Sequence, residues 1–195
     1  MRKSRLSTFV LVFLSLIAFE INVSAQTEKG GFYVGGSADI SELFNSSSGA
    51  TFNFSVGPTI AVFVVKNFAV GAHYSFAIGS SRFYNNYDGQ YESLTTFTTN
   101  VGPTFRYYLG KKQLKGVASA NVNYSVYTGL IKSSVYNTEG YSAGGTLGMA
   151  YFFNAHISLE TVAYFTASAY KSAPQSNRTG LSIALYAFLD KKKRE

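Results

Sequence analysis

Three groups of residues in this 195-residue chain have types and spacings that could do chemistry. His73 and Ser75 stand two apart, and an imidazole beside a hydroxyl is the minimum of an activated nucleophile. Nothing flanking the pair supplies a further activating group, so the bland expectation is an interior, hydrogen-bonded histidine. Asp39, Arg106 and Glu160 are charges spaced far apart in sequence, and they interact only if folding gathers them. Arg106 can then satisfy carboxylates with bidentate geometry. The third group is the stretch Arg82 to Tyr91, in which Phe83, Tyr84, Tyr87 and Tyr91 lie among Asn, Asp and Gln. Aromatic rings there supply rigid contact area and the amides adaptable hydrogen bonds, the composition of a binding loop, although an interfacial aromatic girdle uses the same residues. His156 has no evident partner. Two histidines, no cysteine and scattered acids make no metal-ligand cluster, and no motif requires a cofactor.

The elements that must position these residues announce themselves by period-two alternation. From Thr51 to Val64, Phe52, Phe54, Val56, Pro58, Ile60, Val62 and Val64 fall on one face, and Asn53, Ser55, Gly57, Thr59 and Ala61 on the other. The same alternation predicts strands over 31–41, 51–65, 68–78, 94–109, 115–127, 140–153, 157–169 and 179–189. Lys66-Asn67, 110–114 and 154–156 are tight connections, whereas 42–50, 79–93, 128–139 and 170–178 are long and polar. Short turns at one end and long loops at the other characterise membrane barrels, with apolar groups facing lipid and small polar ones facing inward. On that alternation Asp39, Arg106, Glu160, His73 and Ser75 all face inward. Facing lipid near mid-membrane, the arginine alone would cost roughly 2–4 kcal/mol.

Before the first strand, Arg2, Lys3 and Arg5 precede an apolar run from Leu6 to Phe19, and Val23-Ser24-Ala25 offers a cleavage site. The expectation is a signal peptide over 1–25, a barrel domain over 26–190 and a basic periplasmic tail over 191–195. The run is short for a spanning helix. Without cysteine there is neither an acylated anchor nor a disulfide. The chain carries 15 tyrosines and 17 phenylalanines with 18 glycines and only three prolines, which favours many short strands over helices. Removing Arg2, Lys3, Arg5 and Glu20 from 17 basic and 10 acidic residues lowers the formal charge from +7 to +5. Four of the remaining basic residues form the run Lys191 to Arg194 and the others are scattered, a poor pattern for nucleic acid.

Val56-Gly57-Pro58-Thr59 recurs as Val101-Gly102-Pro103-Thr104 in the second and fourth strands. Proline cannot donate to a ladder, so each copy predicts a bulge or bend. A spanning sheet must close on itself to pair its backbone, and eight strands enclose an interior that side chains nearly fill. The predicted fold is therefore an all-β, eight-stranded, antiparallel up-and-down transmembrane barrel. Gly31-Phe32-Tyr33-Val34-Gly35-Gly36, the paired Val-Gly-Pro-Thr strands, Phe105-Arg106-Tyr107-Tyr108 and the terminal Tyr186-x-Phe188 resemble the small outer-membrane barrels of the OmpA and OmpX type, especially those common in Bacteroidetes. The glycine expected three residues before the first terminal aromatic is Ile183 here, and Leu189-Asp190 and the basic tail follow the second.

That resemblance implies location in the outer membrane of a Gram-negative bacterium after signal cleavage. The partners it implies are outer-membrane lipid and lipopolysaccharide, the barrel-assembly machinery and an extracellular ligand of unknown identity. It implies no cofactor and no shared catalytic residues. A non-enzymatic structural or surface-interaction role is the leading expectation. A narrow porin-like solute channel resting on Arg106 and Glu160 is the alternative. A lipid-modifying enzyme resting on His73 and Ser75, two apart as in membrane-bound lipid A deacylases, ranks below it, and a soluble lipocalin-like barrel would reverse the facing of every strand.

Overall fold

The computed structural model describes residues 27–45, 49–85, 89–110, 113–131, 134–172 and 176–189. Residues 1–25, expected to form a signal peptide, and residues 191–195, expected to form a basic tail, lie outside them. Eight strands, β1 (Phe32–Asn45), β2 (Gly49–Val65), β3 (Phe68–Asn85), β4 (Gln90–Leu109), β5 (Leu114–Ile131), β6 (Ser134–Phe152), β7 (Ile157–Tyr170) and β8 (Ser176–Leu189), follow one another round a closed antiparallel barrel. Each predicted strand exists. Ends at the short turns agree to within one residue, but the opposite ends run further than alternation indicated. Residues 79–85, for example, still belong to β3, and β6 begins at Ser134 rather than at 140. The segments read as long loops are largely extensions of the hairpins. Above the lipid both faces of a strand meet water, so apolar/polar alternation ends while the ladder of backbone bonds continues.

Outward positions are apolar: Phe54, Val56, Ile60, Val62, Val101, Phe105, Leu147, Leu181, Ile183 and Leu185 are all exposed. A girdle of Tyr107, Tyr151 and Phe153 lies toward the short turns, and Tyr124 stacked edge-on against Tyr141 lies toward the other rim. Among the described residues no helix is long and apolar enough to cross a membrane; any crossing is made by strands.

The turns are built by residues that suit them. Asn67 takes a positive φ of 64° in the Lys66-Asn67 hairpin, which asparagine tolerates. In the turn after β6 the Asn154 side chain accepts from the amides of His156 and Ile157 at 2.7 and 2.9 Å. The prolines do not make bulges. Pairing of β2 with β3 skips Gly57-Pro58 and resumes at Thr59↔His73 in the same register, and pairing of β4 with β5 skips Gly102-Pro103 and resumes at Thr104↔Asn121. The register shift in β2 comes later, between Phe63 and Val65. Each proline thus interrupts the ladder on one side only, where its missing N–H would have donated.

The ring closes between β1 and β8 from Phe32↔Leu189 to Asp39↔Ser182. Beyond that pair β1 runs on to Asn45 and β8 back to Ser176, each bonded on its other side alone. Outward Thr179 and Asn177 succeed Leu181 there, so the parted seam coincides with the end of the apolar band. Inside, at the short-turn end, Tyr33, Phe63, Tyr108, Phe152, Tyr186 and Phe188 form the core. Tyr186 and Phe188 therefore point inward, settling a facing that the missing glycine at Ile183 left undefined. Phe188 sits 5.0–6.2 Å, centroid to centroid, from Tyr33, Phe63, Tyr108 and Phe152. Replacing it with alanine should cost about 3–5 kcal/mol. Urea unfolding of the micelle-refolded protein measures this, and an unchanged midpoint would mean that the aromatic floor is not a packed core.

Candidate functional site

The lumen has two storeys, distinguished by the direction in which side chains bond. In the lower one they reach across. Arg106 on β4 places Nη2 3.0 Å from Glu160 Oε2 on β7, three strands away, and both side chains are almost fully buried. The contact is off the guanidinium N–H direction, so the pair is held by charge rather than by a well-aligned hydrogen bond. Tyr108 donates its hydroxyl to Glu160 Oε1 at 2.9 Å, and the guanidinium lies 4.5 Å from the Tyr186 ring centre. The aromatic core lies beneath. Under it Lys115 donates to Thr27 Oγ1 at 3.0 Å, Thr27 bonds Asn67, and Gly30 N bonds Phe63 O, so residues 27–30 strap the short-turn end.

In the upper storey polar side chains bond their neighbours along the wall. Ser55 donates to Asp39 at 2.8 Å, Thr59 meets His73 Nδ1 at 3.0 Å, and Ser119 meets Thr146 at 2.6 Å. Asn100 donates to Ser75 and accepts from Ser125, which lies 3.0 Å from Ser142. Because each bond joins adjacent strands, the axis is left unfilled. A polar cavity of about 150 Å³ results, lined by serine, threonine and asparagine with Asp39, His73, Tyr164, Tyr170 and Arg178. A second, of about 50 Å³, shares His73 and Asn121 with it and reaches down to Arg106. The whole is a vestibule floored by an ion pair and aromatic rings.

The structure brings Arg106 and Glu160 together. Asp39 faces the same lumen but lies in the upper storey, held by Ser55. His73 and Ser75 face inward as alternation indicated, yet each is engaged by a different strand, His73 by Thr59 and Ser75 by Asn100. His156, in its turn, brings Nδ1 3.2 Å from the Phe188 carbonyl and braces the last strand. Of the aromatic stretch, Phe83 and Tyr84 belong to β3, Tyr91 to β4, where it is exposed, and Tyr87 lies outside the described residues. Tyr127, Tyr136 and Tyr170, on β5, β6 and β7, form a ring cluster further round the rim, with centroids 5.5 and 5.8 Å apart.

Sequence reasoning missed Tyr108, the third member of the ion-paired layer. The signal was available: Tyr108 shares alternation parity with Arg106. The upper wall asparagines were missed because no spacing marks them.

No protein-family model matches the chain, and no curated protein is similar to it in sequence. Among solved structures it is similar to Neisserial surface protein A, at 12% identity over 82% of this chain and 99% of that one, with a TM-score of 0.58. The outer membrane protein OprG from Pseudomonas aeruginosa is 12% identical over 83% of this chain and 95% of its own, with a TM-score of 0.49. At these identities the likeness is one of fold, and the first carries it: an eight-stranded barrel of the small outer-membrane kind.

Breaking the buried pair should be costly, because one charge is left without its partner. Arg106→Met or Glu160→Gln alone should lose about 3–5 kcal/mol, and the double variant should recover much of it. Urea titration of all three tests this; equal losses that simply add would show that the charges are not coupled. Outside the membrane band, Lys171 and then Tyr124 hydrogen-bond Glu139 and hold its carboxyl below the usual range. The sign follows: this contact is fully present above the ordinary carboxylate pKa and is lost as pH falls through the depressed folded value. Protection of the Lys171 amide, bonded to Glu139 O at 3.0 Å, should fall on acidification through that range after correction for intrinsic exchange. Flat protection would remove the contact from the rim's stability.

Proposed function

We propose that this chain is a non-enzymatic integral protein of the Gram-negative outer membrane, a sealed barrel that anchors an externally facing rim and vestibule for surface contacts. The observation that carries the reading is its inverted polarity: valine, leucine, isoleucine and phenylalanine outside, a charged pair and asparagines inside. In water that arrangement exposes its apolar face and buries its charges, whereas in lipid each group meets its preferred surroundings. The even strand number supports termini and short turns together on the periplasmic side, with the extended hairpins outward. Processing of residues 1–25 and contact with the assembly machinery and lipopolysaccharide belong to the same reading.

The transport alternative is disfavoured by the floor. Tyr33, Phe63, Tyr108, Phe152 and Phe188 are at most 1% exposed, and the Arg106–Glu160 pair lies directly above them. A conducting path would have to displace both. The enzymatic alternative is disfavoured by the position of Ser75 within a polar lumen, bonded to Asn100 and turned away from lipid.

Fractionation with gels of unheated and boiled samples should give a heat-modifiable band in the outer-membrane fraction, and the refolded protein should show no conductance steps in a planar bilayer. A soluble periplasmic protein with no mobility shift would overturn the location, and reproducible steps would replace the sealed barrel with a channel. Ser75→Ala should leave the lipid A mass spectrum of the host unchanged; a lost modification would reinstate the enzyme.

A further inference from the structure

One ladder of this barrel is left half made. β1 and β8 pair from Phe32↔Leu189 to Asp39↔Ser182, yet both strands run on for six residues, Ile40–Asn45 and Ser176–Leu181, bonded only to β2 and to β7 respectively. The two overhangs match. Carried on, the same register would set Ile40 against Leu181 and Asn45 against Ser176, with no residue left over. Two complementary halves of one antiparallel ladder therefore stand open at the outer end. An open edge is a template for another strand, and edges that stay solitary are blunted by proline, lysine or a bulge. Neither overhang contains proline or lysine, and each pairs with its remaining neighbour without a register shift.

The register also says what fits these edges. No connection at the outer end is longer than five residues, so none supplies a six-residue strand from within the chain. A second copy does, because it presents the same two edges already in complementary register. A two-fold axis along the membrane normal, set between two seams, brings β1 of one copy beside β8 of the other and, reciprocally, β8 beside β1. Strands joined in this way are antiparallel, as they are within one chain, and inward faces stay inward. The lipid face beside the parting suits the same approach. On β8, Leu181, Ile183 and Leu185 stand out at 68, 59 and 56% exposure, while the residues of β1 opposite Ile183 and Leu185 are the small Ala38 and Gly36. A tall row thus runs beside a low one, and the two-fold axis lays each tall row along the low row of the other copy.

We propose that two copies of this chain associate seam to seam, with Ile40–Asn45 of each paired to Ser176–Leu181 of the other, so that their outer ends share one continuous rim above two separate floors. The proposal rests on the membrane-barrel reading above, and heat-modifiable mobility scores that reading separately.

The chain has no cysteine, so introduced thiols report position directly. In the proposed register Glu42 of one copy faces Thr179 of the other, and directly opposed residues hold their Cβ atoms about 5 Å apart. Full-length Glu42→Cys and Thr179→Cys variants are co-expressed, and the isolated outer membranes are oxidised or treated with a short bis-maleimide. Glu42→Cys with Asn137→Cys, on β6, is the control. The expected product is a covalent band of twice the monomer mass, about tenfold or more above the control. It should fall about tenfold when both copies also carry Ala38→Phe, a change on the lipid face that fills the low row. A single chain carrying both thiols separates the alternatives: linkage between chains supports the dimer, whereas a locked monomer, with no dimer from the mixture, means that the seam closes on itself and overturns it. No covalent dimer, or a yield equal to the control, in variants that keep the heat-modifiable band overturns the dimer and spares the barrel. Loss of that band in the unsubstituted chain overturns both.

Discussion

Backbone pairing where no water can replace it is the constraint on which this structure depends. A sheet edge facing hydrocarbon leaves amides and carbonyls without partners, so the eight strands meet end to end along Phe32–Asp39 and Ser182–Leu189. Closure puts one face of every strand toward lipid and the other toward a lumen of fixed width. The apolar exterior and polar interior follow as one consequence. The seam parts beyond Ser182, one residue short of the last outward leucine, Leu181, after which the outward residues of β8 become polar.

Within that lumen, reach decides what each side chain does. Arginine, glutamate and tyrosine are long enough to meet across the axis, and the Arg106–Glu160–Tyr108 layer with the five further aromatic rings of the core fills the lower barrel. Serine, threonine and asparagine are shorter and find partners on the next strand, so the upper barrel stays open along its axis. The longer Tyr164, Tyr170 and Arg178 line the vestibule without closing it, so a solid floor lies beneath a hollow upper barrel. Asp39 illustrates the rule, because its short carboxylate accepts from Ser55 on the adjacent strand through Oδ2 and does not cross to Arg106.

Much of this was legible in the chain. Thr51 to Val62 alternates, and Phe52, Phe54, Val56, Ile60, Val62 and Val64 are all exposed in the folded barrel, whereas Phe63, on the inward face, enters the aromatic floor. Strand ends at the short turns were legible because Lys66-Asn67 and Asn154 carry turn chemistry. The opposite ends were not, since strand and loop look alike when both faces are wet. Pro58 and Pro103 marked real interruptions, but a missing donor opens the ladder without adding the extra residue that makes a bulge. Tyr186 and Phe188 looked like a terminal signal and are also floor residues, which only their neighbours Tyr33 and Phe63 reveal.

By itself the sequence determined the number of strands, their order and, save on the last strand, which face each residue takes, because those depend on a period of two along the chain and on local turns. Tertiary structure alone decided which inward residues meet. Arg106 and Glu160 are brought to 3.0 Å, and Asp39 is set opposite Asn121 and Asn123, by closure and strand stagger. Neither is encoded in any local spacing: the height of a residue in the barrel is the sum of all the registers between its strand and the seam.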